Sequence, residues 1–271
     1  MPMPMMVMPT LEPTDGFRWR QARWGQVLEC VPLAGVARHC FTTRDLAPSD
    51  PDQPGGAGWR ELADDLGVRP DLLHRLRQVH GAAVHVADPR GVVAVAPLPA
   101  ADIAVAADPA LAVSVRVADC VPLLLADRRT GAVAAAHAGW RGTAARVAVE
   151  AVRALAKALG SRPQDLVAAV GPSIGPCCYQ VGQEVLTAFE AAGHPARDLE
   201  RWFAPDAAGR WRLDLWAATR DQLEGAGLRS DAVLLSGFCT ASRTDRFFSY
   251  RVEGPRAGRL VAAIRPRLPS P

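Results

Sequence analysis

The sequence predicts a mixed α/β (α+β) fold, with parallel and antiparallel strands in a sheet flanked by helices. Three observations carry that expectation. Short apolar runs alternate with helix-length amphipathic stretches along the chain. The run from residue 112 to 137 reads as strands with a tight turn at Asp127-Arg128-Arg129-Thr130-Gly131, which makes that pairing antiparallel. No repeat or linker divides the 271 residues, so a single domain spanning 15–265 is expected. Residues 1–14 and 266–271, rich in proline, are expected to be disordered tails.

The elements follow in order. Residues 27–31 and 37–42 read as strands, and 46–58 as a Pro/Gly/Asp loop. Residues 59–66 and 70–76 suit short helices, with Gly67 as a stop and Asp71 in a first turn. Residues 79–86 and 103–106 are strand-like, and 112–117 alternates before Ala118-Asp119-Cys120. Residues 142–159 form the clearest helix. Thr143 is its expected cap, Val147, Ala151, Ala154, Leu155 and Ala158 its apolar stripe, and Gly160 its end. A buried strand at 166–170 runs into a stiff Gly/Pro loop at 171–179. Helices are expected at 181–192 and 215–226, and strands at 233–238, 247–250 and 260–264.

Composition narrows the function. Lys plus Arg number 31 against 28 Asp plus Glu, and a net charge of +3 is too small to argue for nucleic acid or an anionic membrane. Charges or prolines interrupt every apolar run before transmembrane length, and the N-terminus lacks the basic region of a signal peptide. The six scattered cysteines are therefore expected as thiols in a reducing cytoplasm. All five methionines fall within the first eight residues, a thioether cluster of the kind that binds Cu(I), although a disordered tail explains it as well. Nothing in the sequence sets the oligomeric state.

The chemistry gathers around Cys120 and the run His137-Ala138-Gly139-Trp140-Arg141-Gly142-Thr143. A hairpin brings its outer ends together, so the Cys120 thiol and the His137 imidazole are expected as neighbours. That pairing signals a metal site or an activated nucleophile. His80, followed by Gly81, adds a second imidazole. Two imidazoles and a thiolate suit a zinc ion with an open fourth position, and equally copper. No Cys-x-x-Cys or His-x-x-x-His pair supports the set, and buried structural Cys and His remain the alternative. Arg141 at the mouth of the 142–159 helix makes an anion site. Arg44, Arg251 and Gln78 are further candidates for substrate or phosphate. Asp119 is the carboxylate nearest in sequence for acid/base work, or for orienting a ligating histidine. Cys177 and Cys178 are adjacent, which argues against both serving one tetrahedral ion.

Taken together, the segments Phe41-Thr42-Thr43-Arg44, Arg77-Gln78-Val79-His80-Gly81, Ala118-Asp119-Cys120-Val121-Pro122 and His137 to Thr143 resemble the YfiH family. So do Gly171-Pro172-Ser173-Ile174-Gly175-Pro176-Cys177-Cys178-Tyr179-Gln180-Val181-Gly182, Cys239-Thr240 and Phe248-Ser249-Tyr250-Arg251. That family is also called the multicopper polyphenol oxidase or laccase-domain family. The resemblance implies a single three-layer α/β/α domain with a mixed sheet, and a metal held by His80, Cys120 and His137. It implies a zinc-dependent purine nucleoside phosphorylase, a pentosyltransferase acting on adenosine, inosine, guanosine and methylthioadenosine with phosphate, accompanied by adenosine deaminase activity. Copper-dependent polyphenol oxidation is the alternative for the same ligands, and a peptidoglycan-editing hydrolase would use Cys120 and His137 directly. One departure stands out: the family usually carries Gly-Gly-x-Ser after the arginine of Phe-Thr-Thr-Arg, whereas Arg44 is followed by Asp45-Leu46-Ala47-Pro48-Ser49.

Overall fold

The computed structural model describes residues 12–46, 56–89 and 97–267. In chain order the elements are β1 (Phe17–Ala22), β2 (Gly25–Cys30), α1 (Val31–Ala34), β3 (Arg38–Thr42), α2 (Ala57–Leu66), β4 (Leu73–His74), β5 (Val84–Val86), β6 (Ile103–Ala106) and β7 (Ala112–Val117). There follow β8 (Val121–Asp127), β9 (Val133–Ala138), α3 (Trp140–Ala144), α4 (Val147–Leu159), β10 (Leu166–Val170), β11 (Gln180–Val181), α5 (Gln183–Ala191) and α6 (Ala196–Trp202). The last are β12 (Phe203–Asp206), β13 (Arg210–Leu213), α7 (Leu215–Gly225), β14 (Val233–Leu235), α8 (Tyr250–Glu253) and β15 (Leu260–Arg265).

The α/β class with mixed strands holds, and the β layer of the expected three-layer arrangement is itself double. One six-stranded sheet runs β1-β2-β3-β15-β7-β4, another β14-β10-β8-β9-β6-β5, and β11-β13-β12 form a small third sheet. Most pairings are antiparallel; β4 with β7, β5 with β6 and β10 with β14 are parallel. The period-2 alternation of a strand explains the stacking. On β8, Val121, Leu123 and Leu125 join a core shared with residues of α4, α5 and α7, whereas Leu124 and Ala126 face a second core holding Val113, Val115, Ala262 and Ile264 of the other sheet. A strand covered on both faces is apolar along its length, as β8 is up to the Asp127 that begins its turn, and all seven of its residues are buried. A third core packs α2 against the outer face of the first sheet.

The turn between β8 and β9 follows from its residues. Asp127 Oδ1 accepts the N–H groups of Arg129 and Thr130, and Gly131 takes the left-handed φ of 74°. Between β7 and β8 the chain changes sheet through Ala118-Asp119-Cys120, and this crossing delivers Cys120 to the end of the hairpin.

Several expectations are corrected. The 142–159 helix is two helices: Arg146 adopts φ 60° and sends its guanidinium to the carbonyls of Ala192 and Gly193, so α3 ends before α4 begins. Thr143 caps neither helix; it is buried with an unpaired hydroxyl. Residues 247–250 are no strand, because Phe247 packs into an aromatic cluster with Trp19 and Phe238 and Ser249 leads into α8. Residues 70–76 are a single 3-10 turn and then β4, where Leu73 and His74 pair with β7. β1, α6, β12 and β13 went unpredicted. Of the expected tails, 1–11 and 268–271 lie outside the described residues, as does most of the 46–58 loop. At their inner edges Thr14 donates its hydroxyl to the Leu235 carbonyl and Arg267 donates to the Ala34 carbonyl. No helix among the described residues is long and apolar enough to cross a membrane.

Candidate functional site

The β8–β9 hairpin brings the expected thiol and imidazole together. Pro122 pairs with His137, so Cys120, just before β8, stands beside the His137 side chain. His80 arrives on the loop between β4 and β5, its ring edge-on to that of His137 with centroids 4.8 Å apart. The donor atoms of His80, Cys120 and His137 lie within 4.8 Å of one another.

A residue outside the motif reading organises this set. Asp102, fully buried at the foot of β6, accepts Nδ1–H of His137 at 2.8 Å. The same carboxylate accepts the main-chain N–H groups of Val79 at 3.2 Å, His80 at 3.0 Å and Gly81 at 2.7 Å. One side chain thus fixes the His137 tautomer, leaving Nε2 to face the site, and folds the loop that carries His80. The loop needs such support, because His80 holds φ 60°, a left-handed conformation costly for a non-glycine residue. Asp119, on the sheet crossing, is similarly held at φ 86°. The signal for Asp102 in the sequence was a lone carboxylate, Ala101-Asp102-Ile103, immediately before an apolar strand.

Electrostatics divides the charges across the set. Burial alone would raise the Cys120 thiol, but hydrogen bonding and charge from His137, then from His80, bring it down to about 6. Burial would lower the His137 imidazole, but the bonds to Asp102 and then Cys120 hold it up at about 9. Without a metal the pair is thereby biased toward a thiolate beside an imidazolium. A divalent cation would replace the imidazolium proton, as metal binding to such ligands does.

The donor set fits a borderline-soft ion such as zinc or copper: two imidazoles, one thiolate, and a carboxylate behind one histidine. The backbone is shaped to it. A Cβ on Gly139 would fall 2.9 Å from Cys120 Sγ and 3.3 Å from His80 Cδ2, so only glycine lets the start of α3 pass this close to the donors.

The site opens into a cavity of about 560 Å³ lined by Gln78, Asp119, Tyr179, Tyr250 and Arg251, and by Arg77, Arg116 and Arg259, three arginines that sequence reasoning missed. Exposed arginines are common, which obscured Arg116 and Arg259, and Arg77 was passed over within its motif in favour of Gln78 and His80. Asp119 Oδ1 accepts Thr240 Oγ1–H at 2.7 Å and Oδ2 accepts the Arg251 N–H at 2.6 Å. It touches neither histidine, and the histidine-orienting place considered for it belongs to Asp102. The Gln78 amide is engaged at both ends with the Arg116 main chain, donating to its carbonyl and accepting its N–H, each at 2.8 Å.

Two sequence candidates point elsewhere. Arg44 pairs with Glu253 at 2.8 Å, donates to the Phe247 carbonyl and stacks over Phe248, so it ties the Phe-Thr-Thr-Arg segment to the Phe-Ser-Tyr-Arg segment. Arg141 is exposed over the Trp140 ring at 4.1 Å and is not among the cavity-lining residues. The helix start expected beside it is a five-residue turn, too short for an appreciable dipole.

Fold and site together define an α/β domain in which two histidines and a cysteine converge under an arginine-lined pocket. Residues 33–267 match the multi-copper polyphenol oxidoreductase laccase family, and the chain belongs to that family. It is 39% identical over 239 residues to a purine nucleoside phosphorylase of Deinococcus radiodurans, covering 83% of this chain and 88% of that protein. It is 40% identical to purine nucleoside phosphorylase SCO2081 of Streptomyces coelicolor, covering 89% and 92%. A further relative, adenosine deaminase RL5 of an unknown prokaryotic organism, is 36% identical over 75% of this chain and 78% of its own. Among solved structures, the hypothetical protein YfiH of Bacillus licheniformis superposes with a TM-score of 0.81 at 26% identity, covering 92% and 99%.

Proposed function

We propose that this chain is a zinc-dependent purine nucleoside phosphorylase that also deaminates adenosine, with His80, Cys120 and His137 as the metal ligands. The observation that carries the reading is the joining of a His-Cys-His donor set to a pocket walled by arginines. That pairing suits phosphorolysis: the arginines would hold the phosphate that attacks the ribose anomeric carbon, the glycosidic bond breaks, and free base and ribose 1-phosphate leave. Relatives named purine nucleoside phosphorylase support it.

Arg251, with Arg77, Arg116 and Arg259 on the same walls, holds the phosphate and offsets its charge as it approaches the sugar. Arg251 is itself positioned, its main-chain N–H on Asp119 and its guanidinium donating to the Gln180 carbonyl at 2.8 Å. Gln78 keeps the loop of His80 registered on β7. His80, Cys120 and His137 would hold a zinc ion that would supply Lewis acidity toward the nucleoside or a water. Tyr250, half-exposed on the pocket wall, offers a face for the purine. Deamination replaces the purine amine by water and releases ammonia. Asp119, the one carboxylate among the described residues lining the pocket, would move the proton, releasing its bond to Thr240 or to the Arg251 N–H as it does so. Copper on the same ligands is the alternative cofactor, which the family description favours.

The test is to incubate metal-analysed protein with inosine or adenosine, with and without phosphate, and to follow base, ribose 1-phosphate and ammonia. Phosphate-dependent base release is expected; oxygen uptake with a phenol and no base release would contradict the reading.

A further inference from the structure

The loop at 171–179 does more than wall the pocket. Its Cys177 and Cys178 thiols meet Cys239, and the three sulfurs lie within 4.8 Å of one another. The Cys177 and Cys178 sulfurs are 3.6 Å apart, so the turn at this loop aims adjacent side chains to the same side, against the sequence expectation. Backbone pairing fixes the third thiol. Ser173 N–H donates to the Phe238 carbonyl and Thr240 N–H to the Ser173 carbonyl, each at 3.1 Å, which sets Cys239 beside the loop. Cys239 Sγ accepts the Gly175 N–H at 3.2 Å, a bond typical of a sulfur held as a ligand. Gly175 is required for that approach, because a Cβ there would fall 2.8 Å from the Trp216 ring and 3.3 Å from Cys239 Cβ.

We propose that Cys177, Cys178 and Cys239 form a second metal site, separate from the His80-Cys120-His137 set, that takes one thiophilic d10 cation, Zn2+ or Cu+, through three thiolates. Metal–sulfur bonds of about 2.3 Å at tetrahedral angles need sulfurs about 3.8 Å apart. Cys177 and Cys178 already meet that spacing, and Cys239 closes onto it by at most about 1 Å, a side-chain adjustment. Packing does not explain the trio, because Cys177 is exposed. The Arg212 guanidinium, paired with Asp206 at 2.6 Å, also donates to the Cys177 carbonyl at 2.8 Å and so places positive charge beside the thiols. Binding is a proton exchange: up to three thiol protons are released for each cation taken up. The ion would brace the pocket from behind. Thr240, next to Cys239, bonds Asp119, the Ile174 N–H bonds the Asp119 carbonyl, and Tyr179, next to Cys178, lines the cavity.

The experiment uses the full chain, reduced and freed of metal under anaerobic conditions. It is titrated with Zn2+ and, in a parallel arm, with Cu+, each against a chromophoric chelator. The wild type is expected to take two ions in at least one arm. Cys177→Ser and Cys239→Ser each take one, as does His80→Ala, and in the His80→Ala chain Cd2+ gives a charge-transfer band of three-thiolate intensity. Cys177 is exposed, so its variant decides the matter where Cys239→Ser fails to fold. One ion per wild-type chain in both arms, retained by Cys177→Ser, overturns the proposal. So does Cys177→Ser that retains two, which in the Cu+ arm would place the ion on the methionines of residues 1–8. Nucleoside turnover is not the readout, so failure of the phosphorylase reading leaves this result standing.

Discussion

Asp102 Oδ1 stands 2.8 Å from Nδ1 of His137, and through the same carboxylate the loop of His80 is tied down by three N–H bonds. The two imidazoles of the site therefore share one support. Asp102→Asn keeps the size but loses the charge that orients His137 and gathers the loop. Metal affinity is expected to fall about 10- to 100-fold, the usual loss when such a partner is removed. Competition with a chelator measures it, and an unchanged affinity would show that the ligands hold their places alone.

The thiolate–imidazolium pair gives a pH signature in metal-free protein. Cys120 alkylation is expected to reach half its maximum near pH 6, whereas an ordinary thiol does so at about 8.5. Partial desolvation against the loop, together with the Cys239 and Cys178 sulfurs beside it, pushes the Cys177 thiol up to about 12, so peptide mapping at neutral pH should find the label on Cys120. His137→Gln should move the profile upward.

His39 provides a stability test away from the site. Fully buried, it accepts the Cys30 N–H at Nε2, and burial lowers its imidazole to about 4. A depressed histidine stabilises the fold above its unfolded value of about 6.5, and this is lost as pH falls toward 4, where the unfolded chain binds the extra proton. Denaturant titrations of metal-free protein should show a loss across that window, on the order of 2 to 3 kcal/mol of it from His39 beside the share of His74, which burial likewise lowers to about 4. His39→Asn, which can still accept the bond, should remove the His39 share.

Arg251 and Arg44 separate binding from scaffolding. Arg251→Ala is expected to raise the KM for phosphate at least about tenfold, the loss of one charge-assisted contact. Arg44→Ala should leave that KM alone and cost about 1 kcal/mol of stability through the lost Glu253 pair. Steady-state kinetics beside thermal melts distinguish the two.

Gly139→Ala tests the fit of the backbone to the donors. The added methyl must displace Cys120 Sγ or His80, so metal binding should weaken while the melting of the metal-free chain changes less.

Local pattern made much of this legible. The hairpin is readable because turn chemistry at Asp127 and Gly131 and two apolar runs agree, and that agreement alone puts Cys120 beside His137. What stayed hidden depends on distant partners. The break between α3 and α4 comes from Arg146 reaching α5's end, a contact no local propensity encodes. The stacking of two sheets depends on which face of β8 meets which neighbour, and a strand buried on both faces has no polar side to tell them apart. Asp102 lies 35 positions from His137, and Cys239 lies 64 positions from Gly175, whose N–H it accepts, so spacing rules could not find them.

The central claim is that the His80-Cys120-His137 centre drives phosphorolysis in the adjoining pocket. The most direct measurement is ribose 1-phosphate formation from inosine and phosphate by wild type and His137→Ala, each metal-analysed. The account predicts phosphate-dependent product from wild type, lost on chelation and absent in a folded His137→Ala. Equal turnover by the two proteins, or turnover indifferent to chelation, would contradict it.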